Sequence, residues 1–240
     1  MVGSRGWCNG RVRRMSRRDG GGAMDAETLC TQVRNSLRDV EERIRGHQWL
    51  ADLEAGRIPR AAIRSFAGEQ FHVIPSDLSS FEMLAGRFAD DPARGYLEDM
   101  AAGERAALHA LEGFGAAVGL DVEARRGYEP IPGCQAYPSF VARLARDGTP
   151  AEVAGAFLVN LEAWGGNCAR MHAALPAAYG LAEEDCAFFA LFAAPATELE
   201  RASLEVIDAG LTRGVDPSAI ARAARLLQAY ELLYWDSLPR

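Results

Sequence analysis

Residues 25–46, DAETLCTQVRNSLRDVEERIRG, decide the fold class. Leu29, Val33, Leu37, Val40 and Ile44 recur at steps of three and four, which puts them on one face of an α-helix and leaves the charged residues on the other. The same period continues toward the C-terminus, and alternation of β-branched residues is nowhere sustained. Helix starts repeat in one form. Asp91-Pro92, Thr149-Pro150 and Asp216-Pro217 each set a capping side chain before a proline at the first helical position, where the missing N–H costs nothing. Thr149-Pro150-Ala151-Glu152 is also a capping box, with Glu152 placed to accept from the Thr149 amide.

This pattern predicts helices over 25–46, 59–75, 76–90, 92–119, 137–147, 150–175, 182–212 and 217–237. Pro75 removes a backbone donor and should kink or divide the second run. Residues 121–133, with Pro130, Pro132 and Gly133, read as the longest irregular connection. With no candidate strand, the expected architecture is all-α: about seven to eight helices packed on one another around one core, a single domain over residues 24–240.

At 240 residues, 49% hydrophobic and 25% charged, the chain can bury a substantial core, which excludes disorder and collagen-like repeats. Its longest strongly apolar stretch, Cys186–Ala194, has half the length of a bilayer span and ends at Pro195, so no membrane crossing is expected. All 26 basic residues are arginine, which removes Schiff-base lysine chemistry. Residues 1–23 hold six of them (Arg5, Arg11, Arg13, Arg14, Arg17 and Arg18) against Asp19, a net of +5 that leaves −12 on the remainder. An acidic body repels phosphate backbones, so no nucleic-acid partner is expected. The basic segment lacks both the apolar run of a secretory signal and the alternation of a transit peptide. It reads as a disordered leader, with Gly20-Gly21-Gly22 as a translated ribosome-binding site and Met24 as the preferred start; N-terminal sequencing of protein from the native host tests this. Five cysteines, at 8, 30, 134, 168 and 186, are odd in number and show no C-x-x-C spacing. They read as small buried hydrophobes in a reducing cytoplasm.

The order Trp49-Leu50, Gly56-Arg57-Ile58-Pro59, Ile63-Arg64-Ser65-Phe66 and the closing Tyr230-Glu231-Leu232-Leu233-Tyr234-Trp235-Asp236 resembles the haem-oxygenase-like helical superfamily. Within it the chain is similar to thiaminase II (TenA-type) and pyrroloquinoline-quinone synthase (PqqC-type) proteins over nearly everything from Met24 to Leu238. The thiaminase resemblance implies a terminal Tyr-Glu-x-x-(Phe/Tyr)-Trp signature, here Tyr230, Glu231, Tyr234 and Trp235, and an Ala-Tyr lining the substrate site, here Ala136-Tyr137. That family's aspartate falls on Gln70 and its cysteine nucleophile on Asn160, so thiamine hydrolysis itself is not expected. The PqqC-type resemblance rests on Ile74-Pro75-Ser76-Asp77 and Pro132-Gly133; the family's lysine is Ser76, and quinone synthesis is not expected either. A third branch of the fold holds two irons. Of its six ligands His109 and Glu162 match, whereas the others fall on Ala102, Phe192, Ala196 and Leu199, too few donors for a metal pair.

Several residues stand out as carriers of chemistry. Glu69 and His72 lie one turn apart and Asp77 follows Pro75, so the three either point into a cavity at the proline, where a carboxylate orients a general-base imidazole, or form a surface pair. Glu231 stands in an apolar final helix and is either exposed or a buried acid of raised pKa; the signature favours the pocket. Tyr137 either stacks on a planar substrate or belongs to the core. Gln70, Asn160, Glu162, Trp164, Tyr230 and His109 are expected to share the central pocket if the resemblance holds, and Gly165-Gly166 marks either a close approach or plain helix crossing. The resulting expectation is an enzyme acting on a small cyclic or heteroaromatic molecule by acid–base catalysis, with no cofactor and no tightly bound metal. Glu231 gives or takes the proton, Tyr137 stacks, and Glu69, His72 or Asp77 assists. A non-catalytic binding or accessory protein and a degenerate di-iron oxidase stand beside it. A homodimer or homotetramer is expected by analogy.

Overall fold

Asp25 caps the first helix, its carboxylate accepting from the Thr28 amide at 2.8 Å. The computed structural model describes residues 24–240; the basic leader and Cys8 lie outside the described residues. The helices are α1 (Ala26–Arg45), α2 (Gln48–Glu54), α3 (Arg60–Arg87), α4 (Arg94–Ala117), α5 (Val122–Arg126), α6 (Ala136–Asp147), α7 (Pro150–Tyr179), α8 (Ala187–Ala193), α9 (Thr197–Thr212) and α10 (Pro217–Ser237), with a 3₁₀ turn at Glu184–Cys186. No strand occurs among the described residues, and none of their helices is long and apolar enough to cross a membrane.

Local chemistry sets the ends. Thr149 and Glu152 form the capping box in full, and Asp216 accepts from the Ser218 amide ahead of Pro217. Asp91 caps a turn instead: it accepts from the Ala93 amide at 2.8 Å, and α4 begins two residues after Pro92. Three other expectations are corrected. Residues 59–75 and 76–90 are one helix, since α3 runs through Pro75. A proline forfeits a single backbone bond, and buried residues on both sides of it, Ile74 and Val73 before and Asp77 and Phe81 after, hold the helix together. The run 182–212 is instead divided at Pro195, which forces Ala194 into an extended conformation (ψ 147°) and separates α8 from α9. Short helices occupy two segments outside the expected helices: α2, capped by the His47 ring, and α5, capped by Asp121 within the run read as an irregular connection.

The long helices α3, α4, α7 and α10 form the frame, with α3 packed along α4 and α7 along α10; α6 bridges α3 and α10, and α9 and α8 close over α7. Two apolar clusters result. One is aromatic, with Phe66 6.0 Å from Trp235 and 5.8 Å from Trp49, ring centre to ring centre. The other gathers Phe81, Leu97, Phe157, Ile207 and Leu227. Tyr137 packs against both, at the place where they fail to merge.

Candidate functional site

Between the two clusters lies a cavity of about 550 Å³, walled by α3, α4, α6, α7 and α10 and opening past α8 and α9. Three buried carboxyl groups meet it, each standing in an otherwise apolar helix stripe. Asp77 follows Val73 and Ile74 on α3, Glu104 follows Leu97 and Met100 on α4, and Glu231 follows Leu227 on α10.

Glu231 is held at both oxygens. Asn160 of α7 donates to one, and the Trp235 indole donates to the other at 3.2 Å. Asn160 is itself fixed by Gln228, whose side-chain oxygen accepts from it at 3.1 Å. Burial pushes Glu231 up to about 7, against the lowering effect of those two donors. Burial raises Glu104 to about 8 and lifts Asp77 well above the usual carboxylate range, with the Glu104 charge adding to the rise at Asp77. Tyr137 feels all three acids: burial first, then the charges of Asp77, Glu231 and Glu104, hold its phenol in the protonated form. Gln70 donates to the Tyr234 hydroxyl at 2.8 Å and leaves its own oxygen unpaired. The remaining wall is largely aromatic and aliphatic. Trp164 meets Phe192 edge-on at 5.6 Å beside the opening, where exposed Asp99, Glu198 and Arg201 form a polar lip.

Of the residues singled out in the sequence, Gln70, Asp77, Tyr137, Asn160, Trp164 and Glu231 surround this cavity. Five lie elsewhere. Glu69 is buried beneath the α5–α6 connection, accepting from the Tyr128 hydroxyl (2.6 Å), the Ile131 amide (2.8 Å) and the Gln135 side chain (2.8 Å). His72 and His109 are exposed, with the His72 ring 6.1 Å from Tyr128. Glu162 pairs with Arg45 at 2.8 Å on the outer surface, and Tyr230 packs on Phe140 at 5.3 Å. Glu104 and Tyr96 are cavity residues that sequence reasoning passed over. The signal for Glu104 was present, an acid at an interior position of the Leu97–Met100–Ala107–Leu111 stripe. Cys30, Cys134, Cys168 and Cys186 are buried free thiols, and burial raises each above its ordinary value, so none presents a thiolate. Among the described residues no three His, Cys, Asp or Glu side chains converge as a metal centre requires.

A helical bundle with an acidic, aromatic-walled chamber at its centre defines the class, the haem-oxygenase-like fold. The chain belongs to the TENA/THI-4/PQQC family, whose profile it matches over residues 34–238. Solved structures agree on the fold. A TenA homologue from Pseudomonas syringae pv. tomato DC3000 superposes with a TM-score of 0.72 at 15% identity, covering 92% of this chain and 98% of that one. A TenA homologue from P. horikoshii OT3 gives 0.71 at 16%, covering 87% and 96%. A domain of unknown function with a haem-oxygenase-like fold from Shewanella denitrificans OS217 gives 0.60 at 14%, covering 87% and 93%. No curated protein matches the sequence.

Proposed function

We propose that the protein is a TenA/PqqC-like enzyme that acts on a small cyclic or heteroaromatic molecule by acid–base catalysis in the central cavity. Glu231 is the principal proton donor and acceptor, Asp77 its helper, and Tyr137 the surface against which the ring lies. The observation that carries this reading is Glu231 itself: a buried carboxyl of pKa about 7, facing an apolar cavity, with both oxygens oriented by Asn160 and Trp235. A group poised near neutral pH exchanges protons in either direction at low cost. Asn160 occupies the position that the resemblance assigns to a cysteine, and an amide is no nucleophile; its work here is to orient Glu231. This favours proton transfer over covalent catalysis.

The reading also needs no metal, since Glu231 and Asp77 move the proton themselves. The test is a panel of amino-substituted heteroaromatic compounds incubated with the full chain and followed by mass spectrometry. At least one compound is expected to be converted, Glu231→Gln is expected to slow that conversion about 100-fold or more, and dialysis against a chelator is expected to leave it unchanged. Binding that raises Tm while no compound turns over would replace the enzyme with a non-catalytic binding protein.

A further inference from the structure

One face of α4 is turned away from the rest of the chain, and it reads alike in both directions. Gly95, Asp99, Ala102, Ala106, His109 and Gly113 are all exposed and follow one another at steps of four, three, four, three and four. That spacing draws a straight seam about 27 Å long down the helix, with the period at which two helices run side by side. Its order is symmetric about a point midway between Ala102 and Ala106: alanine answers alanine, glycine answers glycine, and Asp99 answers His109. The neighbouring charges are paired within the chain, Arg94 with Glu98 at 2.8 Å and Arg105 with Glu82 at 2.7 Å, whereas Asp99 and His109 enter no such pair among the described residues. A Cβ on Gly95 or Gly113 would meet nothing within 4 Å. Nothing within the chain therefore calls for a glycine at either place, and each weakens the helix.

We propose that a second copy of this chain docks on this face, α4 against α4 in the antiparallel sense, about a two-fold axis between Ala102 and Ala106. A two-fold interface sets one patch against itself, so the patch must complement its own reverse. Here the reverse brings Asp99 opposite His109 of the partner subunit, twice in each dimer, and an imidazole donates to a carboxylate whether or not it carries charge. A parallel pairing would set aspartate against aspartate. Alanine and glycine along the seam let the two backbones approach to about 8 Å, the close end of helix packing, and this gives the open glycines their reason. Beside the seam a groove of about 360 Å³ between α3 and α4, lined by Ala85, Gly86, Ala89 and Ala101, has room for the flank of the second helix. The seam also borders the central cavity. Asp99 and Ala106 line its opening, so His109 of the partner subunit stands at the polar lip and two copies together complete the mouth. The inference does not depend on what the cavity holds.

Sedimentation velocity on the full chain tests this, with circular dichroism as the check on folding. The unaltered chain is expected to sediment as an assembly of even number, built on twice 25.9 kDa. Ala102→Glu sets a charge beside its own copy at the axis; it is expected to weaken the pairing at least about 10-fold and to halve the mass. Asp99→Arg and His109→Asp each set like groups face to face and are each expected to weaken it as well. The two together are expected to restore it, because only an antiparallel two-fold pairing carries residue 99 to residue 109. If Ala102→Glu fails to fold, this exchange decides. A chain that stays monomeric up to about 100 μM overturns the inference. So does an assembly whose mass Ala102→Glu leaves unchanged, or an exchange that fails to restore association. Conversion of a compound by a monomer would leave the enzyme reading standing alone.

Discussion

Glu231 and Glu69 are both glutamates sunk in apolar helix stripes, and their surroundings give them different work. Around Glu231 the neighbours are a cavity, an amide and an indole, which leave its proton mobile near neutrality. Around Glu69 they are three donors from the α5–α6 connection, with no cavity wall. Gly68 beside it has no room for a side chain, since a Cβ there would lie 2.5 Å from the Tyr128 ring. Glu69→Ala is therefore expected to lower stability by about 3 kcal/mol in urea denaturation, because it leaves buried donors unpaired. The surviving folded fraction is expected to keep its conversion rate, the reverse of Glu231→Gln. Equal loss of conversion in the two variants would return Glu69 to the catalytic group in which the sequence placed it.

Among the helices, the paired glycines of α7 separate two effects that look identical in the sequence. A Cβ on Gly165 would meet the Phe192 carbonyl oxygen of α8 at 2.9 Å, whereas one on Gly166 would meet nothing within 4 Å. Close approach explains the first glycine, and open space surrounds the second. Gly166→Ala is expected to stabilise the protein by up to about 1 kcal/mol through helix propensity alone. Gly165→Ala is expected to forfeit that gain, because α8 must shift where it borders the cavity opening; thermal melts of the two variants check the contrast. A similar contact at Gly155, where a Cβ would lie 2.4 Å from Ile220 Cγ2, sets how closely α7 and α10 cross. These two helices carry Asn160 and Glu231, so the spacing of the crossing is also the spacing of the site.

For the molecule as a whole, the cavity acids make stability depend on pH in an uncommon direction. Glu231 and Glu104 have ordinary values near 4.5 and native values of about 7 and 8, and Asp77 is raised as well. The native state therefore holds more protons than the unfolded chain between about pH 4.5 and 8. The stability linked to these groups is fully present below that window and is lost as pH rises through it. The acids with lowered values, such as exposed Asp25 and Asp216 and half-buried Asp52, act only at lower pH. The unfolding free energy from urea denaturation is expected to fall between pH 5 and pH 8.5, by an amount on the order of 2–3 kcal/mol, with the urea midpoint falling in step, and the Asp77→Asn/Glu104→Gln double variant is expected to flatten the decline. A midpoint that rises over this range would show that the three acids are ionised in the native protein.

The sequence by itself determined the all-helical class and several of the helix starts. A three-and-four spacing of apolar residues, capping side chains before prolines at 150 and 217, and carboxyls standing at interior positions of the stripes are all local chemistry, readable along one helix at a time. The order of motifs, from Trp49 to Trp235, carried the family. Only tertiary structure decided which of these residues meet. His72, His109 and Glu162 occupy helical positions as plausible as those of Asp77 and Asn160, yet they face outward, because the face a helix buries depends on where its neighbours cross it. Pro75 lies within an unbroken helix and Pro195 ends one for the same reason. Packing on both sides outweighs one missing hydrogen bond at the first, and the residues beside the second, Ala194 and Ala196, bury too little to do so. The cavity belongs to no segment. It exists because two apolar clusters, built from opposite ends of the same long helices, meet around Tyr137 without filling the space between them.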